Sequence, residues 1–401
     1  MFFCEQIVGQ DRILMCSTYC PLVITFLMTG LYIHIPFCKQ ACSYCNFHFS
    51  TNVQRKDAVI HALQGELEIR CSGRVPMPLT SIYLGGGTPS LLDAADLEGL
   101  FAAIAKHFEI PTDIEITIEA NPDDLVPKKL EMIANSPINR LSIGIQSFDQ
   151  RDLDYMNRAH DAQQAHTAIL NAQSFGFSNV SMDLIYGVPG MSLDRWRENL
   201  RMSLEYQVPH LSCYALTIED RTALAHRVSK GLSPAPSHAE AEAQFRMLMD
   251  VTQAHGYEHY EISNFARDGY IAKHNTSYWQ SLSYIGIGPS AHSFDGKRRS
   301  WNVANNMKYV KSIESGQLPQ TVEVLTDADR YNEYVMTRLR TKWGCHLDHI
   351  TGMGEEYVKL FTKEIEHYLR EGLVFCEDGR YALSLEGKLF ADRIAADLFW
   401  V

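Results

Sequence analysis

Between residues 31 and 216, short apolar strands alternate with amphipathic helices, and no other feature of the chain restricts its fold as strongly. Residues 31–35 are an apolar run. Val59, Ile60, Leu63 and Leu67 recur at helical spacing within 57–70. Residues 81–84 read as a strand that runs into Gly85, Gly86 and Gly87, and Leu97, Leu100, Phe101 and Ile104 mark the next helix. Ile114, Ile116 and Ile118 alternate with polar side chains. Leu141, Ile143 and Ile145 repeat that period of two, as do Val180, Met182 and Leu184. Helical stretches at 162–174 and 193–206 separate these runs, and a strand at 211–216 follows. Ser237 and Glu240 have the form of a capping box for a long helix ending near Gly256. Residues 257–262 and 284–287 are further strands. Strands joined through helices pair in parallel, so the fold class is α/β, with a sheet that is either open or curled into a barrel. Such sheets gather their chemistry at the carboxyl ends of the strands.

From about residue 326 the pattern changes. Helices are expected at 327–340 and 355–371. Short strands at 373–375 and 381–383 bracket a turn over Glu377, Asp378, Gly379 and Arg380, and a last helix covers 386–399. This order suggests a small helical, winged-helix-like carboxyl-terminal domain. Residues 327–401 carry 14 acidic and 10 basic side chains, and the whole chain has a net charge of −12. Binding to a polyanion draws on clustered Lys and Arg, so nucleic acid is not the expected partner. The composition, 46% hydrophobic and 21% charged, supports a large core, and no run reaches the length of a membrane span. Residues 1–29 differ from the rest. They hold Cys4, Cys16 and Cys20 and a short apolar stretch at 21–28, but mixed charges precede it and no clean cleavage site follows. We read 1–27 as an extension or a misassigned start before Met28, and the protein as cytoplasmic. The expected division is 1–27 extension, 28–265 core, 266–326 connecting region and 327–401 carboxyl-terminal domain.

Ten cysteines in 401 residues are too sparse for a disulfide scaffold. Cys38, Cys42 and Cys45 nevertheless form a C-x-x-x-C-x-x-C cluster just past the first strand. Three thiolates on one loop can converge on one metal centre. A structural zinc site closes with four ligands, and the next thiol, Cys71, lies far along the chain on or beyond a helix. A [4Fe-4S] cluster on three cysteines instead leaves one iron open, able to chelate the amino and carboxylate groups of S-adenosylmethionine.

The run from Leu31 to Cys38 (Leu-Tyr-Ile-His-Ile-Pro-Phe-Cys), continued by Cys42 and Cys45, resembles the opening of the oxygen-independent coproporphyrinogen III oxidase-like (HemN-like) branch of radical SAM proteins. The resemblance runs from about Gly30 to the carboxyl end. It implies a partial (β/α) barrel, one [4Fe-4S] cluster, bound S-adenosylmethionine and an electron donor if the cluster is reduced. It also implies that Tyr32, Gly86, Gly87, Thr88, Glu119, Gln146, Arg158 and Asp183 contact that cofactor. Their chemistry is suited to such contacts, since glycines allow close backbone approach, carboxylates face an ammonium, and Arg158 could clamp a carboxylate. Ala215 and His292 fall where the family places a second cofactor molecule.

Within the branch, the oxidase pattern has another cysteine two positions after the third. Here that position is Phe47. The segment His274-Asn275-Thr276-Ser277-Tyr278-Trp279 is similar to the H-N-x-x-Y-W motif of the HemW-like haem chaperones. An imidazole can ligate haem iron, and flat aromatic rings can cover the macrocycle. The resemblance therefore implies a haem chaperone that binds haem through His274, Tyr278 and Trp279 and passes it to a haem-requiring acceptor protein. His48, His255 and His259 are spare ligand candidates. The alternative is the oxidase reaction, radical decarboxylation of coproporphyrinogen III.

Overall fold

A computed structural model describes residues 29–73 and 75–401, so the expected extension with Cys4, Cys16 and Cys20 lies outside the described residues. Six strands follow in chain order: β1 (Thr29–Ile35), β2 (Met77–Gly86), β3 (Glu115–Ala120), β4 (Arg140–Gln146), β5 (Val180–Tyr186) and β6 (His210–Ala215). Each pairs in parallel with the one before it. Among the connecting helices are α1 (Lys56–Cys71), α2 (Ala94–His107), α3 (Ala162–Ser174) and α4 (Leu193–Glu205). Crossovers of one hand that never reverse direction place the helices on one face and curl the sheet around the other.

The sheet does not close. After β6 come α5 (His238–Ala254) and an antiparallel hairpin of β7 (Glu258–Glu261) and β8 (Asn264–Ala266), and β8 pairs with β6. Next are α6 (Lys273–Trp279) and β9 (Tyr284–Ile287), which returns to the opposite side of β1 as a seventh parallel strand. Beyond β9 the sheet continues antiparallel through β10 (His292–Phe294), β11 (Arg298–Asn302) and β12 (Gln320–Val324), with α7 (Asn306–Glu314) between the last two. This is the partial barrel expected from the sequence. Leu31, Ile33 and Ile35 of β1, Ile82 and Leu84 of β2 and Ile116 and Ile118 of β3 are all buried, as are Val59, Ile60, Leu63 and Leu67 of α1. Each such side chain contributes about 1.5–3 kcal/mol. The strand expected at 257–262 is β7, and β8, which follows it as the second arm of a hairpin, was not expected. Of the capping box expected on α5, the Ser237 half is present, with its hydroxyl accepting from the Glu240 N–H.

A second core contains Tyr331, Val335, Phe361, Ile365, Ile394 and Leu398. It joins α8 (Asp327–Leu339), α9 (Glu355–Arg370) and α10 (Ala391–Asp397) to a three-stranded sheet of β13 (Cys345–His346), β14 (Val374–Glu377) and β15 (Arg380–Leu383). This is the small winged-helix-like unit. The last helix is shorter than expected. Gly387–Phe390 forms a 3-10 turn, because Gly387 packs so tightly under the Leu373 carbonyl that a Cβ would fall 1.8 Å from its oxygen. The two cores meet where the Ile262 N–H donates to the Arg340 carbonyl and the Lys342 N–H to the Tyr260 carbonyl. Arg340 also pairs with buried Glu261 and lies over the Trp279 ring. Among the described residues no helix is long and apolar enough to cross a membrane.

Candidate functional site

The loop after β1 carries Cys38, Cys42 and Cys45 at the carboxyl end of the parallel strands, and the loop after β2 lies against it. The Gly87 N–H donates to the Ile35 carbonyl (2.9 Å) and the Thr88 N–H to the Phe37 carbonyl (2.7 Å). The Thr88 hydroxyl reaches Cys38 Sγ at 3.4 Å. The glycines serve this approach. Gly86 has φ +108°, and a Cβ there would meet the His34 ring at 2.5 Å; at Gly87 it would meet the Phe37 carbonyl oxygen at 2.6 Å. From the other side, Arg158 Nη1 donates to Cys42 Sγ (3.2 Å), while Nη2 donates to Asn121 Oδ1 (2.7 Å) and the Gly144 carbonyl (2.9 Å). Burial pushes the Cys38 thiol up to about 11, and the neighbouring Cys45 and Cys42 push the same way.

Glu119, at the end of β3, accepts hydrogen bonds from the Tyr83 hydroxyl (2.8 Å) and the Gly86 N–H (3.1 Å). Burial raises its pKa to about 7, and the charge of Asp183 adds to the effect. Asp183, on β5, accepts from Ser142 Oγ (3.0 Å) and Ser181 Oγ (3.2 Å), and burial raises its pKa too. Gln146 closes β4 with φ +64°, beside a register shift against β5. A strained residue at a bulge re-aims its side chain, here toward Arg158: both approach the same face of Gly144. The structure thus brings Thr88, Glu119, Gln146, Arg158 and Asp183 to the rim and lumen of the barrel, around the cysteine loop.

A cavity of about 460 Å³ opens beside that loop. Tyr32, Tyr278, Trp279, Tyr284 and Phe294 give it aromatic walls, and Phe47, 68% exposed, stands at its edge. His34, His48 and His292 also line it, and α8 closes one side with Glu333, Met336 and Thr337. His274 lies deeper and is 1% exposed. Its Nδ1 is 2.8 Å from Ser81 Oγ and its Nε2 2.7 Å from the Tyr278 hydroxyl. Glu115, at the start of β3, fixes the helix that carries it by accepting from the Lys273 and His274 N–H groups. Burial, with Arg140 nearby, drives the His274 pKa down to about 3, so the ring is neutral. Both ring nitrogens are engaged, and His274 would have to give up Tyr278 before it could meet a metal. Of the spare histidines, His48 borders the cavity. His259 is stacked on Phe265 and bonded to the Ile262 carbonyl, and His255 is exposed on the surface with its Nδ1 at the Val251 carbonyl. Ala215 ends β6, while His292 follows β9, so the two stand at opposite ends of the parallel run.

The sequence pattern of the Radical SAM superfamily matches residues 32–202, and that of the HemN C-terminal domain matches residues 325–390. The heme chaperone HemW of Bacillus subtilis is 32% identical, over 92% of this chain and 98% of the relative. HemW of Lactococcus lactis is also 32% identical, over 89% of this chain and 93% of the relative. The chain belongs to the HemW family of radical SAM proteins. The mitochondrial radical S-adenosyl methionine domain-containing protein 1 of Mus musculus is 37% identical, over 92% of this chain and 87% of its own length. Among solved structures, the Escherichia coli coproporphyrinogen III oxidase HemN superposes with a TM-score of 0.78 at 22% identity, covering 93% of this chain and 90% of that one. This likeness establishes the fold.

The donor set suits what a radical SAM protein of the HemW family would hold. The three thiols sit close enough that the other two help raise the Cys38 pKa, yet no three His, Cys, Asp or Glu side chains among the described residues are gathered tightly enough for a single ion. A cluster spreads its thiolates over three irons, a wider span than the shell of one zinc. Several supporting residues escaped the sequence reading. Tyr83, Ser81, Glu115 and Asn121 position the residues named above. Glu66, fully buried on α1, bonds the Gly288 N–H (2.8 Å), Asn302 Nδ2 (2.8 Å) and the Tyr309 hydroxyl (2.6 Å). Its signal was present in the sequence: a carboxylate at an apolar-stripe position of α1, between Leu63 and Leu67.

Proposed function

We propose that this chain is a haem chaperone: it binds haem in the cavity beside the cysteine loop and passes it to a haem-requiring protein. Cys38, Cys42 and Cys45 would hold a [4Fe-4S] cluster, which supplies an open iron for S-adenosylmethionine and, when reduced by a donor, an electron. Around that position, Tyr32 and the Gly86–Gly87–Thr88 backbone approach closely, Glu119 receives the ammonium, and Gln146 and Asp183 serve the ribose. Arg158 braces the loop through Cys42 and Asn121. In haem binding, Tyr278 and Trp279 offer ring faces, and His274 acts through Tyr278 by holding its hydroxyl.

The observation that carries this reading is the cavity. Its volume lies in the range of small-molecule sites, its walls are aromatic, and Phe47 gives it an apolar lip. The H-N-x-x-Y-W motif supplies two of those walls. The relatives named HemW, matched over nearly their whole length, point the same way. Delivery of haem requires no covalent step, so uptake and release decide the function.

The test is anaerobic reconstitution of iron and sulfide, followed by haem titration and a coproporphyrinogen III assay on the same sample. Saturable haem binding without formation of protoporphyrinogen is expected. Conversion of coproporphyrinogen by protein that takes up no haem would replace this reading with the oxidase.

A further inference from the structure

We infer that His292 is the side chain that ligates haem iron in the cavity, an assignment that rests on the haem reading above. Four histidines lie in or behind the cavity wall, and their hydrogen bonds separate them. His34 uses both ring nitrogens, Nδ1 with the Tyr32 hydroxyl (3.0 Å) and Nε2 with the His48 carbonyl (2.8 Å). His274 is buried and doubly engaged by Ser81 and Tyr278. His48 commits Nε2 to Asn306 Oδ1 (2.7 Å), which leaves only Nδ1, the nitrogen crowded by its own backbone. His292 lines the cavity, is exposed to it, and has no hydrogen bond at either ring nitrogen among the described residues. A neutral imidazole with an unspent lone pair is what iron needs.

The His292 ring is also held in place. It stacks on Trp301 with ring centroids 5.9 Å apart and planes 25° from parallel, and the two residues face each other across β10 and β11. The turn leading into β10 is pinned from within the core. Buried Glu66 accepts from the Gly288 N–H, and Asn302, next to Trp301, bonds both Glu66 and the Gly288 carbonyl. At Gly286, in β9, a Cβ would fall 1.9 Å from the His292 carbonyl oxygen, so the close approach of β10 admits only glycine there. A ligand built on strand and stacked on an aromatic ring is preorganised. Phe294, two residues on, and Tyr32, Tyr278 and Tyr284 supply apolar ring surface around it. Arg299, paired with Glu333 at 2.7 Å on the cavity wall, is the cation placed to receive a carboxylate of the macrocycle.

The experiment is titration of ferric haem into the full chain and into His292→Ala, without added S-adenosylmethionine, followed by absorption and magnetic circular dichroism. Loss of groups that merely orient a metal ligand costs about 10–100-fold in affinity. Loss of the ligand itself should therefore weaken haem binding by about tenfold or more and shift the Soret band. Added imidazole should restore the parent band in His292→Ala, which a purely structural role would not allow. His48→Ala should keep the parent spectrum. If His292→Ala binds with the parent's affinity and band, or if the change follows His48→Ala instead, the assignment is overturned while haem binding stands. A parent chain that takes up no haem overturns the function and the ligand together.

Discussion

Replacing Glu119 by Gln isolates the titrating group of the barrel lumen. In the folded protein burial, reinforced by Asp183, raises this carboxyl from 4.5 to about 7, against the pull of the Tyr83 and Gly86 donors. The folded state therefore holds the proton more tightly than the unfolded chain does. Its contribution to stability is complete below the unfolded value and is lost as pH rises through the folded one. Between about pH 5.5 and 8.5, the interval lost is about 1.5 pH units, or about 2 kcal/mol at about 1.36 kcal/mol per unit. Urea unfolding of the metal-free chain and of Glu119→Gln at both pH values gives two slopes, and their difference removes what groups uncoupled from Glu119 contribute. The parent should lose about 2 kcal/mol more than the variant over this interval. S-adenosylmethionine should also bind the parent more tightly as the carboxylate forms, and Gln should flatten that rise. Parallel unfolding profiles for parent and variant would refute the placement of Glu119 as a buried proton-holding group.

Changing any one of Cys38, Cys42 or Cys45 to Ala should abolish the reconstituted cluster, measured as iron and sulfide content, whereas Cys213→Ala and Cys345→Ala should retain it. Gly86→Ala, which forces a Cβ into the His34 ring at a backbone angle that favours glycine, should destabilise the fold by about 2 kcal/mol or more and impair cluster assembly. Thermal unfolding and iron content check both parts. His274→Ala strands the Ser81 and Tyr278 hydroxyls in a buried site and should cost about 3 kcal/mol, read by chemical denaturation, while cluster content persists.

What the sequence revealed depended on the range of the interaction that decides it. β1 to β6 follow from short apolar runs and periods of two, which are local, and so does the placement of Cys38, Cys42 and Cys45 at a strand's carboxyl end. Glu119 and Gln146 were readable as polar residues closing apolar strands. The partners of His274 were not: Ser81 and Glu115 come from β2 and β3, 193 and 159 residues away in the chain. No period tells Tyr284–Ile287 that its neighbour is β1. The hairpin at Asn264–Ala266 was missed because three residues are too few to show a period. The last helix was overextended because its start is set by a contact between Gly387 and Leu373. His292 was named only through the family resemblance, for a second cofactor, since its availability to iron is a matter of which nitrogens remain without partners after folding.

The wall that α8 contributes has a mechanical consequence. Tyr32, Tyr278 and His292 stand on β1, α6 and β10 of the barrel, whereas Glu333, Met336 and Thr337 ride on α8, the helix that anchors the second core. The Arg299–Glu333 pair bridges the two, and contacts of this kind are weak where water reaches them. A chamber with walls drawn from two cores would change volume if one shifted against the other, and the joint that such a shift must work is the one between Arg340, Glu261 and the Tyr260 carbonyl. If the cavity carries haem as proposed, an acceptor that docks on the carboxyl-terminal domain would hold the handle of the door.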